Sequence, residues 1–214
     1  MSLLVEPYEG GAAAWDDLVL RRGCLYQRWD FGEALRLSLG RPLVRVVARD
    51  GGDLRACLAF SVIKSPLFGR FAVSLPVSDH SGLCWEDEAA LTALAEALPG
   101  LLEKWGVDSL ELRHLEGEEP PLDLPSSEHK LTLHLDLPPS ADELWDSLKA
   151  KVRNLVRKGE KADLVCRQGG VDELDAFYRI YTRNLRDLGT PCYPRRLFAE
   201  LLERFPQQAR LHLA

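Results

Sequence analysis

One order of secondary-structure signals, strand, helix, helix, strand, occurs twice in this chain and limits the folds open to it. The first copy runs from residue 3 to 49 and the second from residue 163 to 214. Strands and helices in such an order are typical of α/β domains, in which helices cover the faces of a sheet. The chain is therefore expected to contain two related α/β folds, although no exact sequence repeat is visible.

The first fold is expected to be a mixed sheet with helices on its faces. Helices are predicted at about 12–22, 31–39 and 86–105, and the last of these has apolar residues at helical spacing. The segment Asp50-Gly51-Gly52 separates two apolar runs and predicts a β-hairpin. Strands are predicted at 3–7, 43–49, 54–64, 71–75, 107–113 and 130–137.

A domain boundary is predicted at Pro138-Pro139-Ser140, which gives domains at 1–137 and 138–214. Ser140 and Glu143 have the S-x-x-E spacing of a capping box, so a basic helix is expected to begin here. The second domain is then expected to contain a strand at 163–167, helices at 171–188 and 195–205, and a strand at 210–214.

The last predicted strand ends with the chain itself. One strand, two helices and the opening of another strand cannot complete a sheet, so we expect the second domain to be truncated; a terminal edge strand is the alternative. Exposed strand edges recruit other chains. With Leu211 and Leu213 uncovered, this domain is expected either to mediate self-association or to stay loosely ordered, and the chain is expected to be inactive without the residues that follow.

A short basic segment is the natural place for an anionic ligand. Residues 149–167 contain seven Lys or Arg against two acidic side chains, in a chain of formal net charge −6. Arg153 and Arg157 are one helical turn apart and can present two guanidinium groups to a diphosphate. A solvated face that suits the helix dipole is the alternative. The apolar stripe expected to bury this helix consists of Leu144, Leu148, Val152, Leu155 and Val156.

Composition excludes several classes of protein. The net negative charge argues against general coating of nucleic acid, which depends on phosphate neutralisation. Five cysteines are scattered without a C-x-x-C pair, so neither a zinc site nor a disulfide framework is expected, and no metal is assigned. No signal peptide or membrane-spanning apolar run is visible. A cytoplasmic location follows, with the inner face of the membrane as an alternative.

Two loops are weaker candidates for chemistry. Asp79-His80 precedes Cys84 and could be a base with its carboxylate, a base near a thiol, or a plain turn. The turn Arg167–Gly170 could hold a phosphate through free N–H groups, or be a plain turn. The chain has no nucleophile elbow, zinc-protease motif, P-loop or dinucleotide fingerprint. No catalytic residue is assigned.

Three stretches share motifs with a known family. Residues 151–158 read K-x-R-N-x-x-R-K, residues 184–194 read N-L-R-D-L-G-T-P-x-Y-P, and residues 68–76 read F-G-R-F-A-V-S-L-P. The first two resemble the Fem-type peptidyltransferases, the FemAB-like branch of the GNAT acyltransferase superfamily. The third resembles the subgroup found beside exopolysaccharide and PEP-CTERM/exosortase gene clusters. The resemblance covers most of the chain and is most specific between Lys151 and Pro194.

The resemblance implies tandem GNAT-like (acyl-CoA N-acyltransferase) domains, the second lacking its later strands. It implies transfer of an acyl or aminoacyl group to a diphosphate-linked cell-wall or exopolysaccharide precursor held between the domains. The donor would be aminoacyl-tRNA or acyl-CoA, and no other cofactor is implied. The residues that would bind the precursor are Lys151, Arg153, Asn154, Arg157 and Lys158, with Trp29 from the first domain.

Two other functions stay open. A GNAT-like module without catalytic activity could bind an anionic sugar, a nucleotide or a partner protein. A conventional acetyl-CoA-dependent acetyltransferase would need a Q/R-x-x-G-x-G/A loop after a strand, and this sequence has none. Acyl transfer itself needs no nucleophilic side chain, because an amine attacks an activated ester or thioester and positioning supplies much of the rate.

Overall fold

A computed structural model of the chain describes residues 3–115, 117–127, 132–162 and 164–214. The chain forms two compact units that interleave along the sequence. Unit 1 comprises Met1–Leu124 and Tyr193–Arg204, and unit 2 comprises Pro125–Cys192 and Phe205–Ala214.

A six-stranded mixed sheet forms the centre of unit 1. Its strands are β1 (Leu4–Pro7), β2 (Leu43–Asp50), β3 (Asp53–Ser65), β4 (Gly69–Val73), β5 (Cys84–Trp85) and β6 (Ser109–Glu111). The order is β1-β2-β3-β4-β6, and β5 pairs with β3. The pair β4–β6 is parallel and the other pairs are antiparallel.

Seven α-helices are present among the described residues. They are α1 (Ala12–Arg22), α2 (Trp29–Leu39), α3 (Glu88–Lys104), α4 (Ala141–Ser147), α5 (Ala150–Lys161), α6 (Leu174–Asp187) and α7 (Arg195–Arg204). Helices α1, α2, α3 and α7 belong to unit 1, and the other three belong to unit 2. The predicted α/β class is confirmed.

Local sequence explains the hairpin and the longest helix of unit 1. Gly51 has φ 59°, a left-handed conformation that glycine adopts at low cost, and it joins β2 to β3 as predicted. Helix α3 buries Leu91, Leu94 and Leu98 against the sheet because these residues share one helical face. Fully buried residues of the strands, such as Phe60, complete this core.

Helix α7 belongs to unit 1 although unit 2 precedes it in the sequence. It packs against α2. Arg204 Nη1 lies 2.7 Å from the carboxylate of Asp30, and Leu197 and Leu202 are buried. The helix predicted at 195–205 is confirmed, except that it ends at Arg204.

Unit 2 has a small antiparallel sheet of β7 (Arg167–Gly169) and β8 (Leu211–Leu213). Helix α6 contacts β8, and Leu174 at the start of α6 is fully buried. Leu211 and Leu213 are also buried, so the prediction that they are uncovered is wrong. As alternate residues of a strand, the two leucines point to the same side of β8, and helix α6 contacts this strand.

Three strand predictions need correction. The strand predicted at 107–113 is reduced to β6, because Ser81 N–H and Gly82 N–H donate to the carbonyl oxygen of Arg113 and a loop replaces a strand there. Residues 132–137 form no strand, and their leucines are exposed; residues 130 and 131 lie outside the described residues. The strand predicted at 163–167 is displaced to β7, which shares only Arg167 with it; residues 164–166 are not part of a strand, and Asp163 lies outside the described residues.

The basic helix predicted after Ser140 is two helices, α4 and α5, separated at Leu148 and Lys149. Both of these residues are extended, with ψ 141° and 143°. Ser140 caps α4 as predicted, accepting a hydrogen bond from Glu143 N–H at 3.2 Å. The last carbonyl groups of α4 find a partner in the Arg153 side chain, which stabilises the break.

Candidate functional site

The cationic residues predicted to bind an anion lie together on α5. At about 100° per residue, one side of this helix is polar and the opposite side is apolar. We call the polar side the basic face. It carries Lys151, Arg153, Asn154, Arg157, Lys158 and Lys161.

Two arginines of the basic face have partners within unit 2. Arg153 Nη1 donates to the carbonyl oxygens of Asp146 (3.1 Å) and Trp145 (3.4 Å). The Arg157 guanidinium carbon lies 5.3 Å from the centre of the Trp145 ring, within the range of a cation–π contact. These contacts orient both side chains and leave other N–H groups of each guanidinium for a ligand.

The apolar side of α5 is more exposed than predicted. Val152, Leu155 and Val156 are 41%, 60% and 42% exposed, whereas Leu144 and Leu148 are half-buried. The prediction of a buried stripe is therefore wrong for α5. The break at Leu148 is the reason, because it separates α5 from the half-buried positions in and just after α4.

Trp29 begins α2 in unit 1 and is packed against a buried cation. The Arg45 guanidinium carbon lies 3.6 Å from the centre of the Trp29 ring, and the Arg45 side chain is only 9% exposed. Burial lowers the pKa of Arg45, while the carboxylate of Glu33 at 3.0 Å opposes this shift. Tyr8 and Trp15 complete the aromatic surroundings, with ring centres 6.2 Å from that of Trp29. A role of Trp29 in binding a precursor stays a prediction.

A crevice of about 390 Å³ in unit 1 was not predicted as a site. It lies where the parallel strands β4 and β6 end, and ligands commonly bind outside the carboxyl ends of such strands. Its volume is within the range of small-molecule sites. Residues that line it include Cys24, His80, Trp85, Arg113, His114 and Glu118. In the sequence, only the loop V-S-D-H-S-G, residues 77–82, indicated a possible site here.

Buried serines fix the loop that follows β4. Ser81 Oγ donates to Ser74 O and Ser78 Oγ donates to Leu75 O, both at 2.6 Å. Leu75 and Val77 have φ 42° and 85°, conformations that non-glycine residues rarely adopt. Such strain persists only where surrounding contacts hold it, and it is frequent at functional sites. The loop therefore presents His80 to the crevice in a fixed conformation.

Two histidines of the crevice differ in their hydrogen bonds. Leu83 N–H donates to His114 Nε2 at 3.2 Å, so His114 carries its proton on Nδ1. Burial lowers the pKa of His114, while Glu119 and Glu118 oppose that shift. His80 Nδ1 is buried and has no hydrogen-bond partner among the described residues. The ring of His80 meets that of Tyr26 edge to face, with centres 5.0 Å apart.

Cys24 and Cys84 are unsuited to nucleophilic attack. Cys24 Sγ lies 3.7 Å from the main-chain oxygen of His80, and burial raises the pKa of the Cys24 thiol. Cys84 is buried opposite Cys57 across β5 and β3. The alternative of a base near a reactive thiol is therefore not supported, because the thiol of Cys84 is buried. Asp79 is exposed.

Two backbone positions that could hold a phosphate are already occupied. Gly170 N–H donates to Asp172 Oδ1 at 3.0 Å, which blocks the predicted turn at 167–170. At the N-terminus of α3, Asp87 Oδ1 accepts a hydrogen bond from Ala90 N–H at 2.9 Å. The hydrogen bond from Arg55 lowers the pKa of Asp87 and keeps this carboxylate charged. A negative side chain therefore already occupies this helix end.

Two further searches cover the part of the chain that the structure describes. It contains no group of three or more His, Cys, Asp or Glu side chains placed to bind a metal ion. It also contains no helix with the length and apolar character needed to cross a membrane.

No protein-family model matches the chain, and no curated protein matches it. Among solved structures, the chain is similar to FemX, with a TM-score of 0.65 and 16% sequence identity. The match covers 97% of this chain and 57% of the FemX chain, so this chain spans little more than half of FemX. At this identity the likeness shows the fold: the chain has the fold of the corresponding part of FemX.

Two acetyltransferase structures match a smaller part of the chain. One is a GNAT family acetyltransferase from Staphylococcus aureus, with a TM-score of 0.42 and 8% identity over 62% of this chain and 100% of that chain. The other is described as a "predicted acetyltransferase with acetyl-CoA" from Clostridium acetobutylicum. It has a TM-score of 0.38 and 14% identity over 62% of this chain and 96% of that chain.

Proposed function

We propose that this protein transfers an acyl or aminoacyl group to an amine of a diphosphate-linked cell-wall or exopolysaccharide precursor in the cytoplasm. The fold shared with FemX agrees with the Fem-type motifs of the sequence. Because the chain spans 57% of FemX, the activity of the whole protein is part of this proposal. The assignment of unit 2 to the beginning of a second GNAT-like domain is also part of this proposal.

The basic face of α5 is the observation that carries the proposal. Diphosphates are bound well by guanidinium groups, which can donate two parallel hydrogen bonds to phosphate oxygens. Arg153 and Arg157 are one turn apart and are oriented by Trp145 and Asp146. Lys151, Asn154 and Lys158 add charge and hydrogen-bond donors on the same face.

The chemistry required beyond binding is modest. The amine nitrogen attacks the carbonyl carbon of an ester or thioester, and the tetrahedral oxyanion must be stabilised by hydrogen-bond donors. Holding both reactants in place can supply much of the rate. The donor would be aminoacyl-tRNA or acyl-CoA. The occupied N-terminus of α3 favours aminoacyl-tRNA, because the N–H groups that could hold the pyrophosphate of acyl-CoA meet Asp87 instead.

Calorimetry with UDP-N-acetylglucosamine, as a diphosphate-linked sugar, tests the binding step. Arg157→Ala should weaken binding by roughly tenfold or more, since a charge-assisted hydrogen bond contributes about 1.5–3 kcal/mol. Arg157→Lys should recover only part of the affinity, because lysine keeps the charge but lacks the planar fork. Arg186→Ala, an exposed arginine of α6 paired with Asp187, is the control and should bind like the unchanged protein.

Equal affinity of the Arg157→Ala and Arg186→Ala variants for UDP-N-acetylglucosamine would show that the basic face is a solvated surface and not a binding site. Transfer is tested separately, with labelled aminoacyl-tRNA or acyl-CoA and the diphosphate-linked precursor. Diphosphate binding without transfer from either donor would favour the non-catalytic module.

A further inference from the structure

Two large apolar side chains lie side by side in the turn between β3 and β4. Leu67 and Phe68 are 79% and 75% exposed, in a turn of residues 66–68 that we call the hairpin tip. Single exposed apolar residues are normal in proteins, whereas a contiguous exposed apolar surface marks an interaction site. The hairpin tip overlaps the sequence motif at residues 68–76, to which acyl transfer assigns no role.

The conformation of the hairpin tip is fixed by its own hydrogen bonds. Ser65 Oγ accepts hydrogen bonds from Leu67 N–H at 3.3 Å and from Phe68 N–H at 3.2 Å. Pro66 restricts the turn further, because its ring fixes φ. The turn therefore holds both apolar side chains in solvent, and little conformational entropy is lost when they bind another surface.

Two cations lie directly behind the hairpin tip. Lys64 and Arg70 are paired residues of the antiparallel strands β3 and β4, so their side chains share one face of the hairpin. Neither side chain forms an ion pair within the described residues, and the carboxylate of Asp108 accepts from the main-chain N–H of Arg70 at 3.4 Å instead. Like charges directly opposite each other destabilise a strand pair. An anion at this position would relieve their repulsion.

The size and the charge of this surface favour a lipid bilayer over a protein partner. A stable protein–protein interface buries about 800 Å² of each partner, which is far more than two side chains and two cations offer. A bilayer requires no complementary shape. Its acyl chains accept apolar side chains, and anionic head groups attract the Lys and Arg side chains beside them.

We propose that the β3–β4 hairpin binds unit 1 to the surface of a bilayer that contains anionic phospholipid. Leu67 and Phe68 enter the boundary between head groups and acyl chains, and Lys64 and Arg70 meet lipid phosphates. The formal net charge of −6 opposes the approach to such a surface, so binding is reversible and depends on the apolar pair. This contact uses no residue of the basic face and does not require the transfer activity.

Sedimentation with lipid vesicles tests the contact in the 214-residue protein. One set of vesicles is phosphatidylcholine alone, and the other is an equimolar mixture of phosphatidylcholine and phosphatidylglycerol. The fraction of protein that sediments should rise saturably with the mixed vesicles, exceed that with phosphatidylcholine, and fall when salt is added. Equal sedimentation with both kinds of vesicle, or none with either, would overturn the proposal.

A double substitution in the hairpin tip separates this contact from binding through other cations. Leu67→Ser combined with Phe68→Ser should lower the partition constant for the mixed vesicles roughly tenfold or more, since two apolar side chains no longer leave water. Leu20→Ser is the matched control, because this leucine of α1 is 68% exposed. Circular dichroism checks that both variants are folded. Equal partition of the two variants would remove the hairpin tip from vesicle binding.

The charge behind the hairpin tip is tested at Lys64. Lys64→Gln should lower the partition constant roughly fivefold, the effect expected for one cation near an anionic lipid surface. Lys64→Arg keeps the charge and should bind like the unchanged protein. Equal partition of the Gln and Arg variants would contradict the role of this cation.

The position of the hairpin tip in the bilayer can be measured directly. Phe68→Trp should add fluorescence, relative to the five tryptophans of the unchanged protein, that lipids with brominated acyl chains quench. Fluorescence added by Leu20→Trp should not be quenched. Equal quenching in both variants would overturn insertion at the tip. Sedimentation equilibrium without vesicles tests the other occupant: a dimer that the double serine variant dissociates would assign the tip to a second copy of the chain and overturn the bilayer.

Discussion

Gly82 occupies a position at which any side chain would collide with a neighbouring imidazole. A Cβ atom built there would overlap His114 Nε2, the atom that accepts a hydrogen bond from Leu83 N–H. Close approach of the backbone to His114 thus requires glycine at this position. The geometry of the crevice wall depends on this one contact.

Gly82→Ala should destabilise the protein by about 1–3 kcal/mol, the usual cost of forcing extra atoms into a packed site. Urea unfolding measures the loss. Gly52→Ala is the matched control, because no atom lies within 4 Å of a Cβ at that position. Equal stability of the two variants would show that His114 moves aside at little cost.

His114 should make stability depend on pH. Its folded pKa is below the ordinary value because burial disfavours the charged ring. The unfolded chain then binds the proton first as pH falls, so stability is lost below about pH 6.5, the ordinary value for histidine. The contribution is fully present above that pH and is gone below the folded pKa.

The variant His114→Gln keeps a possible acceptor for Leu83 N–H but cannot be protonated. The unchanged protein should lose more stability than this variant between pH 8 and pH 5, as measured by urea unfolding at each pH. Parallel pH profiles for the two proteins would contradict the assignment of a depressed pKa to His114.

Residue environments were the hardest features to predict from the sequence. Nothing in the sequence indicates that the ring of Trp29 packs on Arg45. The assignment of Trp29 to a precursor site, which the resemblance implies, stays a prediction. Burial of Arg45 depends on β2 lying next to α2 and on Glu33 as a counter-ion, which are long-range contacts. His80 was noticed in the sequence, but the conformation of its loop depends on three buried serines that only the folded loop brings together.

At the scale of elements, the break between α4 and α5 decides how the basic face is displayed. Arg153 Nη1 donates to two carbonyl groups at the end of α4: that of Asp146, and that of Trp145, which also accepts from Leu148 N–H. A continuous helix would consume those carbonyl groups internally. The side chain of Arg153 therefore holds α4 and α5 in their bent arrangement.

Arg153→Ala should destabilise the α4–α5 turn by about 1–3 kcal/mol, because a cationic donor to two carbonyl groups is lost. Faster amide exchange in residues 145–149 and altered helical circular dichroism would report it. Arg157→Ala, which loses the contact with the Trp145 ring, should cost only about 0.5–1 kcal/mol. Identical exchange in both variants would show that another contact maintains the break.

Elements fixed by neighbouring residues were predicted well, and those fixed by distant pairing were not. The hairpin at Gly51 and the start of α4 at Ser140 depend on local conformation and capping. In contrast, residues 132–137 alternate like a strand but have no pairing partner in the described structure. The exposed stripe of α5 was missed because amphipathic spacing shows which side is apolar, and not what covers it.

At the scale of the whole molecule, buried apolar side chains are distributed unequally. Among the residues that the structure describes, unit 1 contains nearly all of them, whereas those of unit 2 are Leu174, Phe205, Leu211 and Leu213. Local unfolding is easiest where few apolar side chains are buried. Unit 2 is thus expected to lose its structure at lower free energy than unit 1.

Hydrogen exchange should show this difference directly. Amides of α5 should exchange faster than amides in the interior of β3, and partial urea unfolding should remove the structure of unit 2 first. Protection that is uniform across β3 and α5, with one cooperative transition for both, would contradict this prediction.

The membership of α7 in unit 1 has a consequence for biosynthesis. A ribosome makes α2 early, but the helix that covers it appears only after all residues up to Arg204 have been added. Unit 1 therefore cannot mature from its own N-terminal segment while the chain is still growing. Its apolar surface at α2 must wait, accessible to chaperones, until the part of unit 2 that precedes α7, Pro125–Cys192, has been made.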